Sequence, residues 1–138
     1  MINPSKYIRL AVINACSPLS VWDDGVPKNT PTPKTYGLIT SMSMQETARA
    51  KGCYEWEIGF NLDLYNINQL GYYGNAVLED IIADIVPKIK NLTSPVIRIK
   101  NVDLEFMNSL GFNTSTNSID RKVLQYTVWC DYQEEVTT

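Results

Sequence analysis

"CYEWEIGFNLDLY", residues 53–65, alternates between two chemistries almost without error. Tyr54, Trp56, Ile58, Phe60, Leu62 and Leu64 fall on one side, and Glu55, Glu57, Gly59, Asn61 and Asp63 on the other. A period of two marks a β-strand that buries one face. The stretch therefore predicts a long strand whose apolar side meets a core and whose polar side carries an acidic edge.

Further strands lie on either side of it. "DRKVLQYTVWCDY" (120–132) sets Leu124, Tyr126, Val128 and Cys130 against Val123, Gln125, Thr127 and Trp129. With the first set in the core, Trp129 lies on the outer sheet face, where it meets either another subunit or a covering loop. "PVIRIKNVDLEFM" (95–107) places Val102, Leu104 and Phe106 on one face, and "NSLGFNTSTNS" (108–118) reads as a polar loop. Upstream, "YGLITSMSM" (36–44) is a strand that alternates less sharply, and "QETARAKG" (45–52) reads as a polar connection, so the two flanking strands make a hairpin with a long tip. "VWDDGVP" (21–27) is a brief strand ending at a turn-forming Asp24-Gly25. The three prolines between Pro27 and Pro33 predict an exposed extended loop.

Two stretches carry helical spacing instead. Tyr7, Ile8, Ala11, Val12 and Ala15 form a short amphipathic stripe over residues 5–16, with Ser5 placed to cap it. Asn66 to Gly74 is turn-rich, and from Asn75 the residues Val77, Leu78, Ile81, Ile82, Ile85, Val86 and Ile89 make one wide apolar stripe. Glu79 and Asp80 near its start and Lys88 and Lys90 near its end suit the helix dipole. Pro87 predicts a kink or an early stop, because it removes one backbone hydrogen bond. The order is thus α-β-β-β-α-β-β. Strands that bury one face, covered by two helices, make an α+β two-layer sandwich with a mostly antiparallel sheet of about five strands.

Composition narrows the chemistry. A chain of 138 residues is the size of one domain, read as 1–138, and no apolar run approaches the roughly 18 residues of a membrane span. The N-terminus fits a signal peptide poorly, because Arg9 and Asn14 interrupt its apolar stretch, and it reads as part of a cytoplasmic protein. A net charge of −3 argues against a dedicated nucleic-acid binder. The absence of histidine removes every Ser-His-Asp or Cys-His arrangement and every His-bearing metal site. Cys16, Cys53 and Cys130, far apart, read as free thiols, so no metal site is expected. Four carboxylate pairs remain: Asp23 with Asp24, Glu55 with Glu57, Asp80 with Asp84, and Glu134 with Glu135. Glu55 and Glu57 share a strand face and Asp80 and Asp84 a helix face, so each of these two pairs could hold a cation or share a proton, and all four pairs are equally explained as solvated acids. Gly71-Tyr72-Tyr73-Gly74 precedes a helix but lacks phosphate-loop spacing and reads as a tight turn. The sequons at Asn91 and Asn113 carry no weight without a secretory signal.

"SVWDDGVP" (20–27) followed by "PTPKTYGLI" (31–39), in this order of elements, resembles the tail-terminator proteins of long-tailed bacteriophages, also described as tail-completion, minor tail or head-tail joining proteins. The matching features are the Asp24-Gly25-Val26-Pro27 turn, the Pro33 to Tyr36 entry into the next strand, and Asp120-Arg121 opening the last one. The likeness in element order spans roughly residues 5–132; the third strand is longer than the family's, and residues 91–101 look like extra chain. The resemblance implies a virion protein, assembled in the host cytoplasm, that forms a hexameric ring capping the tail tube and joining it to the head or neck connector. It implies no catalysis and no cofactor, with DNA passing through the lumen without specific binding. On that reading Glu55, Glu57 and Asp63 lie toward a lumen or a subunit boundary, where negative charge repels phosphate. Residues 45–52, with Arg49 and Lys51, would be a mobile tip, and the loops bearing Pro31 and Phe112 further docking surfaces; Trp129 completes the candidate interface. A neck or connector ring of a short-tailed phage is the runner-up. A small ligand-binding or enzymatic α+β domain, with the acids of the third strand lining a pocket, is the reading from a different class.

Overall fold

Seven elements follow one another in the order that the periodicities predict: α1 (Pro4–Cys16), β1 (Val21–Asp23), β2 (Thr35–Ala50), β3 (Cys53–Gln69), α2 (Ala76–Lys90), β4 (Arg98–Asn113) and β5 (Asn117–Gln133). The computed structural model describes residues 2–50, 52–72 and 76–133. The strands form one sheet in the order β1-β2-β3-β5-β4, antiparallel throughout except where β1 runs parallel to β2. Ile8 and Val12 of α1 and Leu78, Ile85 and Ile89 of α2 share a single core with Trp56, Ile58, Phe60, Leu62 and Leu64 of β3 and Leu124, Tyr126, Val128 and Cys130 of β5. The protein is an α+β sandwich with both helices on one face of the sheet.

The strands are longer than their apolar alternation suggests. Asn66 to Gln69, read from sequence as turn, continue β3, and each of its 17 residues pairs with one residue of β5. Residues 45–50, read as a connection, are strand paired to Cys53–Glu57, so the first hairpin has a short tip and not a long one. Likewise Asn108–Asn113 and Asn117–Ser118, read as loop, form the β4–β5 hairpin, which turns over Thr114 to Thr116. Turn-forming residue types at these positions are overridden because the neighbouring strand offers an unbroken ladder of hydrogen bonds. The two hairpin tips lie at opposite ends of the sheet, since β3 enters where β5 leaves.

Local chemistry explains the remaining departures. Asn3, not Ser5, caps α1: its Oδ1 accepts the Ser5 backbone N–H at 3.2 Å, and Pro4 fills the first helical position, where no N–H is needed. α2 carries Pro87 inside it and runs on to Lys90, where the Asn91 side chain donates to the Pro87 carbonyl at 3.0 Å. A one-residue bulge between Leu104 and Phe106 sends Phe106 to the outer face beside Gln125, away from Val102 and Leu104. Gly37 lies where β1, β2 and β3 meet: a Cβ there would lie 3.1 Å from Leu64 Cδ2 and 3.2 Å from Val21 Cγ2.

The three cysteines are free. Burial pushes the Cys16 thiol up to about 12 and the Cys130 thiol up to about 11, the latter helped by Asp131. Unfolding therefore releases protons in alkali. The stabilisation from keeping these thiols neutral is complete below their ordinary value of 9.0 and is lost as pH rises toward 11 and 12. The midpoint of thermal unfolding should fall above pH 9, and Cys16→Ala should flatten that fall while lowering stability at neutral pH. Leu62→Ala, in the centre of the fully buried face, should cost about 2–5 kcal/mol in urea unfolding.

Candidate assembly surface

Helices of 13 and 15 residues are roughly 20 Å long, whereas a 17-residue strand spans roughly 55 Å. Two such helices cover the middle of one face. Among the described residues no helix lies over the opposite face, and the candidate residues of β3 lie there. Glu55, Glu57, Gly59, Asn61 and Asp63 point away from the helices, in register with Asp131, Trp129, Thr127, Gln125 and Val123 of β5.

The acids on that face are largely neutralised. Asp63 Oδ2 accepts from Arg121 at 2.9 Å, with the Asp63 side chain only 5% exposed. Glu55 accepts from Lys100 Nζ at 2.9 Å. Asp131, nearly buried, is held by the exposed guanidinium of Arg98, whose pKa that hydrogen bond raises. Burial alone would lower Arg121, but the hydrogen bond and charge of Asp63 outweigh it. Glu57 makes no ion pair among the described residues. The acidic edge read from β3 alone is thus a mixed-charge face, because the cations come from β4 and β5.

Around the Asp63–Arg121 pair the surface turns aromatic. The Arg121 guanidinium lies 5.6 Å from the centre of the Tyr65 ring, Tyr65 stacks on Tyr36 at 5.0 Å, and Tyr36 tilts against Trp22 at 6.2 Å. Burial raises the pKa of both tyrosines, and the Asp63 charge adds to the effect at Tyr65. Farther along, Ile67, Ile119 and Phe112 share one row, with Leu110 beside Arg121 and Phe106 beside Gln125. Phe106, Leu110 and Phe112 are exposed, as are Leu104 and Met107 on the other side of β4. Phe112 is therefore a strand residue on the outer face. Trp129 also lies on that face, half-buried beside Glu57 and Asn101.

The remaining candidates are scattered. Arg49 lies in β2, exposed, 5.2 Å from the Tyr54 ring centre and 3.8 Å from Glu46. Pro31 is exposed in the proline loop that joins β1 to β2, the two strands at the other end of the sheet order from β4. Lys51 lies outside the described residues, as do Tyr73, Gly74, Glu134 and Glu135. Asp84 pairs with Lys88 and not with Asp80.

A polar cluster escaped the sequence reading. On the helix side, where the apolar rows end, Thr35 donates to Asn66 at 2.9 Å, Asn66 to Asn68 at 3.1 Å and Asn68 to Asp120 at 2.8 Å. Ser118 accepts the Gly71 backbone N–H at 2.7 Å and donates to Asn113 at 2.9 Å, and Lys122 donates to Ser109 at 2.7 Å. Asn66, Ser118, Asp120 and Lys122 are all buried. The signal was available: Asn66, Asn68, Ser118 and Asp120 continue the period of two with polar residues, which marks a strand whose core has changed character.

Among the described residues no group of three or more acids and cysteines gathers as metal ligands, and no helix is long and apolar enough to cross a membrane. A cleft of about 790 Å³ lies between α1 and the end of α2, with Asn14, Lys88 and Asn91 among its lining. The chain matches no protein-family model, and no curated protein matches it.

Asp63→Ala should destabilise the fold by roughly 1–3 kcal/mol in urea unfolding, because it strands Arg121, whose Nε is buried without a partner. The cost stays below that of a fully buried pair because Arg121 is one-third exposed. Asp63→Leu with Arg121→Met should recover most of it.

Proposed function

We propose that the chain is a structural protein of a bacteriophage virion: one subunit of a hexameric ring that caps the tail tube and joins it to the head or neck connector. The observation that carries this reading is a sheet that, among the described residues, is covered on one face only and whose β4 edge leaves Leu104, Phe106, Met107, Leu110 and Phe112 exposed. Large apolar groups along a free strand edge are a liability in a monomer and an asset in an assembly. The order of elements, with the Asp24-Gly25-Val26-Pro27 turn and the proline-rich entry to β2, adds the resemblance to tail terminators.

The outer face suits a lumen through near-neutrality more than through negative charge. Ion pairs at Glu55, Asp63 and Asp131 leave neither a basic patch to hold phosphate nor an uncompensated acidic wall. A ring in the neck of a short-tailed phage would make the same use of these features. The ligand-binding reading has less support, because Glu55 and Asp63 are engaged by cations on an open face. Assembly would take place in the host cytoplasm, and the finished protein would reside in the virion.

Light scattering on a sizing column, followed by negative-stain imaging, tests the reading. The expected result is a discrete large oligomer with ring-shaped particles, or rings that form when purified tail tubes are added. A monomer under both conditions, together with a small molecule that raises the melting temperature, would favour the ligand-binding domain instead.

A further inference from the structure

The sheet has two free edges. β1 pairs with β2 only at Gly37–Ile39, so among the described residues the stretch of β2 from 42 to 50 has no neighbour on its outer side. β4 ends the sheet on the other side, and its outer edge is unpaired among the described residues. Each edge carries two one-residue bulges, and they fall at matching heights. In β2 they lie at the rows of Phe60 and of Trp56–Glu55; in β4 at the rows of Phe60–Asn61 and of Trp56–Glu57, traced through β5. Bulges bend a strand and increase its twist, so the two edges bend at the same levels. Ser41, with φ 53, sits in the first of them.

Strand direction also matches. β2 runs toward the end of the sheet where β4 begins, so a copy rotated about an axis alongside the sheet would bring its β2 antiparallel to β4. With the rows level, Met44 meets Val102 on the helix side, while Ser43 meets Asp103 and Gln45 meets Asn101 on the outer side. In these three rows apolar faces apolar and polar faces polar, while Glu46 stands level with Ile99; the exposed Met44 comes to lie near Leu104. Ala48, small and exposed, stands level with Arg98. One cation now guards the β4 edge: Lys90 Nζ donates to the Val102 carbonyl at 2.5 Å and lies 3.5 Å from Asp103. Its side chain is half exposed and can swing to Asp103 when a strand arrives.

We infer that residues 42–50 of β2 in one copy pair antiparallel with residues 98–106 of β4 in the next, so that the sheet continues from subunit to subunit. This rests on the ring reading and names its contact. The pairing is heterologous, which closes into a ring when the rotation per copy divides a full turn. The alternative use of bulges and an edge lysine is to keep edges apart in a monomer, and the experiment separates the two.

Ser43→Cys and Asp103→Cys are introduced together in a Cys53→Ser background, which leaves only the buried Cys16 and Cys130. Reduced protein must melt as its parent does; if it does not, Gln45→Cys with Asn101→Cys, the next outer row, replaces it. On mild oxidation the double variant should give a ladder of covalent multimers on a non-reducing gel. Each single variant alone should give none, and the two single variants mixed should give dimers only. A dimer from Asp103→Cys alone would mean two-fold pairing of β4 with itself and would overturn the inference. Large oligomers by light scattering without a ladder would overturn the contact and leave the ring reading standing. Monomers throughout, with or without tail tubes, would overturn both.

Discussion

Every residue of β3 pairs with a residue of β5, from Cys53 with Gln133 to Gln69 with Asn117, without a bulge. This uninterrupted register is the constraint on which the rest of the structure depends. It puts Trp56, Ile58, Phe60, Leu62 and Leu64 on the same side as Leu124, Tyr126, Val128 and Cys130, and so creates the apolar floor on which both helices rest. A slip of one residue would put the two sets on opposite faces and turn one of them toward solvent. The outer strands β2 and β4 hang on this central pair and absorb the irregularity, each with two bulges.

Strands of this length outrun the helices, and the protein handles the excess differently on its two faces. On the helix side the core passes from apolar rows to a hydrogen-bonded row of Asn66, Asn68, Asp120 and Ser118, which ties the chain beyond β3 to β5 through the Gly71 backbone. Buried polar groups are tolerated there because they satisfy one another. On the outer face, among the described residues, ion pairs and a row of aromatic rings stand in place of a second layer. Asp63 is the clearest case: a carboxylate almost sealed from water by its neighbours in the sheet, stabilised by one guanidinium.

What remains uncovered is concentrated on β4 and the upper part of β2. The apolar groups on both sides of β4, and the edges of β4 and of residues 42–50 of β2, which no strand among the described residues pairs, are the features that the proposed ring would use. Subunit contacts of the proposed kind would draw on shape, strand polarity and hydrogen-bonding groups.

The order of elements, the helix-facing residues of β3 and β5 and both helix stripes were legible in the sequence, because period two and period 3.6 are properties of neighbouring residues. The outer position of Trp129 followed from the same alternation. Strand ends were not legible: Asn66–Gln69, Gln45–Ala50 and Asn108–Asn113 are turn-forming or polar by type and become strand because a partner strand lies alongside. The face of Phe106 was misjudged because a bulge changes the period, and bulges arise from pairing. The acidic edge lost its charge for a related reason: Arg121 and Lys100 are distant in sequence and adjacent only in the folded sheet. Local periodicity therefore set the elements and their inner faces, whereas strand length, register shifts and the electrostatics of the open face were decided by which strand stands beside which.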